Sequence, residues 1–225
     1  MKKLDSQLQR DVIDELRWDP AVGLAEIGVA VKDGVVSLTG TVDTTAKRYA
    51  AIHATERVDG VRAIAEDIAV RIPTTLLRTD TDIAHAAVNA FRWNVEVPDD
   101  LVTVRVDDGW LVLEGVLDWE FQRRAAESCV RYLPGVRGVT NNITLKPRAF
   151  APDVRRRIID ALKRSAEVDS QHVAVEVLDG KVILRGTVRS FVERMDAERA
   201  AWSAPGVTDV VDQLAISVPV VPASR

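Results

Sequence analysis

The chain has one cysteine in 225 residues, Cys129, so no intrachain disulfide can staple it. Aromatic residues make up only 5% of a 47% hydrophobic composition, which leaves aliphatic side chains to build any core. No apolar run approaches the roughly eighteen residues that a membrane-crossing helix needs. Neither sign of charge dominates: 30 Lys and Arg stand against 34 Asp and Glu, a net charge of −4. No third of the chain carries the basic excess of a nucleic-acid surface, and no nucleic-acid partner is expected. Lys2 and Lys3 are followed by Leu4-Asp5-Ser6-Gln7 and not by an apolar h-region. The expected address is therefore cytoplasmic, with a periplasmic one as the alternative if a leader was removed.

Reactive motifs are missing as well. The chain contains no nucleophile elbow, P-loop or dinucleotide fingerprint. His53, His85 and His172 recur neither at ligand spacing nor at equivalent places, and surface positions are expected for them. Cys129 falls in a stripe of alanines and reads as a small core residue. Asp99-Asp100 and Asp107-Asp108 are the nearest approach to paired carboxylates, and turn chemistry accounts for both. Asn142-Ile143-Thr144 fits a glycosylation sequon by chance. No enzyme activity, cofactor or metal is expected.

What the chain does have is repetition. V-A-V-K-D-G-V-V-S-L-T-G-T-V from Val29 to Val42 returns as V-R-V-D-D-G-W-L-V-L-E-G-V-L from Val104 to Leu117. It returns again as V-E-V-L-D-G-K-V-I-L-R-G-T-V from Val175 to Val188. Gly34 and Gly109 are 75 residues apart, and Gly109 and Gly180 are 71 apart. Asp-Gly between two alternating apolar runs marks a β-hairpin, because a type I′ turn needs positive φ at both central residues. Ahead of each hairpin lies an apolar stripe at helical spacing: Leu8, Val12, Ile13, Leu16; then Ile83, Ala87, Val88, Phe91; then Val154, Ile158, Ile159, Leu162. Asp5-Ser6 and Asp80-Thr81 are expected to cap the first two of these helices, and Pro152 suits the first turn of the third.

A second helix follows, with a small-residue stripe at Ala50, Ala51, Ala54; Ala125, Ala126, Cys129; and Ala197, Ala200. Ser190-x-x-Glu193 has the form of a capping box. Each second helix runs into a glycine, Gly60, Gly135 or Gly206, expected at a left-handed C′ position. A third strand completes the unit. The fold class is therefore α+β: three tandem α-β-β-α-β units, each a small mixed three-stranded sheet with two helices on one face. Residues 1–72, 73–146 and 147–217 are the units, and 218–225 form an irregular tail. Strand three lies parallel to strand two through a right-handed crossover, and either strand two or strand one is its neighbour. Gly40, Gly115 and Gly186 stand where an inward apolar side chain would fall. They either admit a helix close to the sheet or mark a bulge, with approach to a ligand as the alternative.

Helix, D-G hairpin ending in V-x-L-x-G-x-V, alanine-rich helix, then G-V-x-x-V: this order, three times in register, resembles the BON-domain family over essentially the whole chain. The glycines that carry the resemblance are Gly34, Gly40, Gly60, Gly109, Gly115, Gly135, Gly180, Gly186 and Gly206. The resemblance implies a non-enzymatic module linked to osmotic or envelope stress, with phospholipid or other envelope components as its proposed ligands.

Two surfaces stand out as candidates. Two helices cover only one face of a sheet, and the outward positions of unit two's second strand include Trp110, Val112 and Val116, with Ile183 outward in unit three. Removing such side chains from water is worth several kcal/mol at roughly 25 cal/mol per Å². A neighbouring unit, a second chain or a ligand would cover them, and a homo-oligomer is the expected state. Basic residues beside tryptophan form the other candidate: Arg17-Trp18 and Arg92-Trp93, together with Arg155, Arg156 and Arg157, could touch an anionic phospholipid surface. The first expectation for the two tryptophans is that each closes the end of its own core.

Overall fold

The computed structural model describes residues 3–23, 27–146, 153–165 and 172–217. Pro147, Arg148, Pro152 and the tail from 218 lie outside these. Unit one runs α1 (Asp5–Trp18), β1 (Ile27–Lys32), β2 (Val35–Val42), α2 (Thr45–Glu56), β3 (Ala63–Val70). Unit two runs α3 (Asp80–Trp93), β4 (Val102–Asp107), β5 (Trp110–Leu117), α4 (Glu120–Val130), β6 (Gly138–Asn141), β7 (Thr144–Leu145). Unit three runs α5 (Val154–Arg164), β8 (Val173–Leu178), β9 (Lys181–Val188), α6 (Phe191–Trp202), β10 (Asp209–Ile216).

Strand two is central in every unit. β1 pairs antiparallel with β2, and β2 pairs parallel with β3; β4-β5-β6 and β8-β9-β10 repeat the arrangement. The neighbour of strand three is thus strand two. The hairpins are type I′ as the Asp-Gly pairs require: Asp33, Asp108 and Asp179 have φ of 54°, 46° and 46°, and Gly34, Gly109 and Gly180 have 79°, 74° and 85°. Each unit encloses a separate core under its sheet, with Leu38, Leu113 and Leu184 fully buried at equivalent places.

Several local expectations are corrected. Asp5 and Asp80 do not cap their own helices. Asp5 accepts hydrogen bonds from the amides of Asp33 (2.8 Å) and Gly34 (3.1 Å), and Asp80 from those of Asp108 (2.9 Å) and Gly109 (2.8 Å), so each clasps the hairpin turn. Thr79 caps α3, in a reciprocal box with Asp82. Gly60, Gly135 and Gly206 are not C′ residues, because α2, α4 and α6 end several residues earlier. Each sits at the third place of a tight turn closed by Val61→Val58, Val136→Leu133 or Val207→Ala204 amide-to-carbonyl bonds. With Pro134 or Pro205 before it and φ of 91° or 86°, the glycine meets the demand of a type II turn. Gly115 and Gly186 admit no helix. A Cβ on Gly115 would lie 2.2 Å from the Leu101 carbonyl oxygen, and one on Gly186 1.9 Å from that of His172. The backbone entering strand one crosses at this point, and φ of 153° and 128° excludes a side chain independently.

The third strands share one further device. Glu66, Asn141 and Asp212, on the helix-facing side, each accept a hydrogen bond from the amide two residues on, at Ile68, Ile143 and Leu214. In unit two this break divides the strand into β6 and β7.

Candidate binding surfaces

The units meet through their second helices. Thr45, Glu120 and Phe191 open α2, α4 and α6 at equivalent places, and Thr45 and Phe191 each contact another unit. Thr45 Oγ1 donates to the Val136 carbonyl at 2.5 Å in a buried contact between units one and two. Tyr49 meets Tyr132 edge-on there, with ring centroids 6.2 Å apart and an interplanar angle of 89°. The Arg131 guanidinium lies 4.6 Å over the Tyr49 ring and 5.9 Å from that of Tyr132. Between units two and three, the Arg123 guanidinium lies 4.9 Å over Trp202, whose indole packs on the core of unit two as well as its own. Phe191 then packs on the core of unit one as well as that of unit three. One touches two, two touches three, and three returns to one: the chain closes into a ring of three units.

The first two joints differ in how they are filled. At joint one–two a cavity of about 120 Å³ remains, with Thr45, Arg131 and Tyr132 in its lining. At joint two–three the place of Tyr49 is taken by Arg124 and that of Tyr132 by Ser203, and a cleft of about 760 Å³ opens. Trp119, Phe121, Trp202 and Cys129 form apolar parts of its lining, and Glu96, Glu120, Arg124 and Arg199 bring charge to it. Burial raises the Glu120 carboxyl above its ordinary range despite the pull of Arg123 at 2.6 Å. Burial likewise pushes the Cys129 thiol up to about 11. That holds the sulfur as a neutral thiol at physiological pH.

The residues marked from sequence are spread over several places. Trp110, Val112 and Val116 share the outer face of unit two's sheet, while Ile183 lies on the separate sheet of unit three. Trp110 and Val116 are 45% and 47% exposed, so this face is left open by the other units among the described residues. The Trp110 ring lies over Gly138 on the neighbouring strand, where a Cβ would be 2.4 Å from it, and its Nε1 donates to Thr140 Oγ1 at 2.9 Å. Its own sheet therefore satisfies its polar end.

Trp18 and Trp93 do not close their cores. They are 83% and 88% exposed, at the tips of α1 and α3, beside exposed Arg17 and Arg92. Arg155 is committed internally, donating from Nε to the Val175 carbonyl at 2.9 Å, just as Gln9 reaches Val29 in unit one. Arg156 and Arg157 lie on the surface and pair with Asp153 at 3.6 and 3.0 Å. His53 pairs with Glu56 at 2.8 Å, and His85 and His172 are exposed. Among the described residues no three His, Cys, Asp or Glu side chains converge. No helix among them is long and apolar enough to cross a membrane.

The cleft and its aromatic lip were not marked from sequence. The signal was present in the unequal residues at equivalent helix places: Ala46, Phe121 and Val192 near the start, and Glu56, Arg131 and Trp202 at the end.

Three small helix-and-sheet units, each with an Asp-Gly hairpin central to its sheet, define a tandem module protein. The chain belongs to the BON domain family, whose model matches residues 4–72, 79–147 and 151–217. No curated protein matches it. Among solved structures it is similar to CdsD, a structural protein of the Type III secretion system of Chlamydia trachomatis, at 14% identity over 95% of this chain and 94% of that one, with a TM-score of 0.28. The C-terminal domain of the same protein matches at 13% identity over 96% and 100%, with a TM-score of 0.26.

Proposed function

We propose that this chain is a non-catalytic binding and scaffolding protein, self-associating through its outer surfaces, in an osmotic or envelope stress response. One observation carries the reading: the ring is built from the second helices, which leaves the sheet of unit two uncovered, with Trp110 and Val116 half exposed. Family membership supports the link to stress. Ionisable residues inside the units are engaged in turns and ion pairs, such as Asp5 at the first hairpin and Asp212 with Arg194 at 2.5 Å. The test is the mass in solution, by light scattering across protein concentration. A species heavier than the 24.7 kDa chain is expected, and a monodisperse monomer would refute self-association.

A second reading, peripheral binding to anionic phospholipid, is favoured by the exposed Arg17-Trp18 and Arg92-Trp93 tips. It predicts co-sedimentation with anionic vesicles that weakens as salt rises through charge screening. Absence of sedimentation at low salt would end it.

A further inference from the structure

We infer that the cleft between units two and three, with Trp93 at its edge, is the contact surface of a two-fold dimer of this chain. The proposal rests on the self-association put forward above but places its contact at this cleft, with the Trp110 face as the competing site. Two features on one patch need explaining. Trp93 projects into solvent at 88% exposure, immediately before Asn94, which lines the cleft. Val95 is 101% exposed and Phe121, on the cleft wall, is 53% exposed. Large apolar side chains left this exposed beside a cleft mark an interaction site.

A projecting indole and an aromatic-walled hollow side by side form a self-complementary surface. Under a two-fold axis, the Trp93 of each copy enters the cleft of the other, between Trp119, Phe121 and Trp202, and the assembly stops at two. Charge agrees with that arrangement. Arg92, whose side chain is 65% exposed and meets Asp99 of its own chain only at 3.8 Å, flanks the projection, and the exposed Glu96 flanks the hollow. The same axis brings each arginine toward the other copy's glutamate.

The other joint supplies an internal control. Trp18 is the equivalent of Trp93 and nearly as exposed, yet beside it the corresponding space is filled by Tyr49 and Tyr132. A projection without a hollow has nothing to enter, so Trp18 takes no part.

The experiment is light scattering of the full chain over a wide concentration range, wild type against Trp93→Ala, Ser203→Tyr and Trp18→Ala. Thermal unfolding is followed on each to confirm that the fold is kept. Wild type should be a dimer. Trp93→Ala should raise the dissociation constant at least ~30-fold, as loss of a central interface tryptophan does. Ser203→Tyr refills the hollow with the ring found at the sealed joint and should act likewise, while Trp18→Ala should leave the dimer intact. A monomeric wild type would overturn both this surface and self-association itself. A dimer indifferent to Trp93→Ala and Ser203→Tyr would overturn this surface alone and move the contact to the Trp110 face. A monomer that binds anionic vesicles through Trp93 would assign the patch to lipid and overturn the dimer.

Discussion

Tyr49 of the first unit and Tyr132 of the second meet edge to face across the joint between them, with ring centroids 6.2 Å apart. The guanidinium of Arg131 shares the stack. An aromatic pair of this kind is worth about 0.5–1.5 kcal/mol beyond the area it buries. Tyr132→Ala should therefore lower stability in a denaturant titration by about 1 kcal/mol, and Tyr132→Phe should cost less than half as much. Equal losses in the two variants would show that the hydroxyl group, and not the ring contact, matters there.

Gly186 and Gly34 both have positive φ but face different obstacles. A Cβ at Gly186 would be 1.9 Å from a backbone carbonyl, whereas at Gly34 the nearest atom is Cδ of the flexible Arg62 side chain, at 2.8 Å. Gly34→Ala should cost about 1–2 kcal/mol from the left-handed backbone alone. Gly186→Ala should cost more, because the strand entry itself must move. Similar unfolding midpoints for the two variants would contradict this account.

Asp80 accepts from both turn amides of the second hairpin, at Asp108 and Gly109. Asp80→Ala leaves those donors to water at a partly exposed site, a loss of about 1–2 kcal/mol. Hydrogen exchange at the Gly109 amide should speed up correspondingly. Exchange unchanged from wild type would mean that the turn needs no clasp. Unit three has Ala151 at the equivalent sequence position and serves as a natural comparison.

Cys129 lies on the cleft wall with its thiol pushed up to about 11 by burial. At pH 8 on the order of one thiol in a thousand is ionised, and the thiolate is the reactive form. Folded protein should react with an aromatic disulfide reagent at least ~10-fold more slowly than protein unfolded in denaturant. Fast labelling in the folded state would show that the sulfur is activated.

The repeated architecture was legible because it depends on local rules repeated three times. Asp-Gly compels a type I′ hairpin wherever it stands between alternating strands, and Leu8-Val12-Leu16 marks a buried face in any context. Strand order was not legible, since the inward set Ile64, Ile68, Val70 is the same whichever strand lies beside it. Gly186 stands out in the sequence, but whether a helix, a bulge or a ligand requires it does not, and the crossing carbonyl belongs to His172, fourteen residues earlier. Trp18 and Trp93 look like core residues by composition and are not. The joints were hidden for a different reason. They depend on the positions at which the copies differ, Thr45 against Phe191 and Tyr132 against Ser203, whereas the repeat is recognised by what the copies share.

The return of Phe191 to the first unit gives this single polypeptide the layout of a homotrimer. Three separate identical subunits would have to carry any substitution at all three seams at once. Covalent fusion lifts that constraint, so each seam can change by itself while the other two hold the assembly closed. Here one seam keeps a cavity of about 120 Å³ and another opens to about 760 Å³, which no strictly symmetric trimer could achieve.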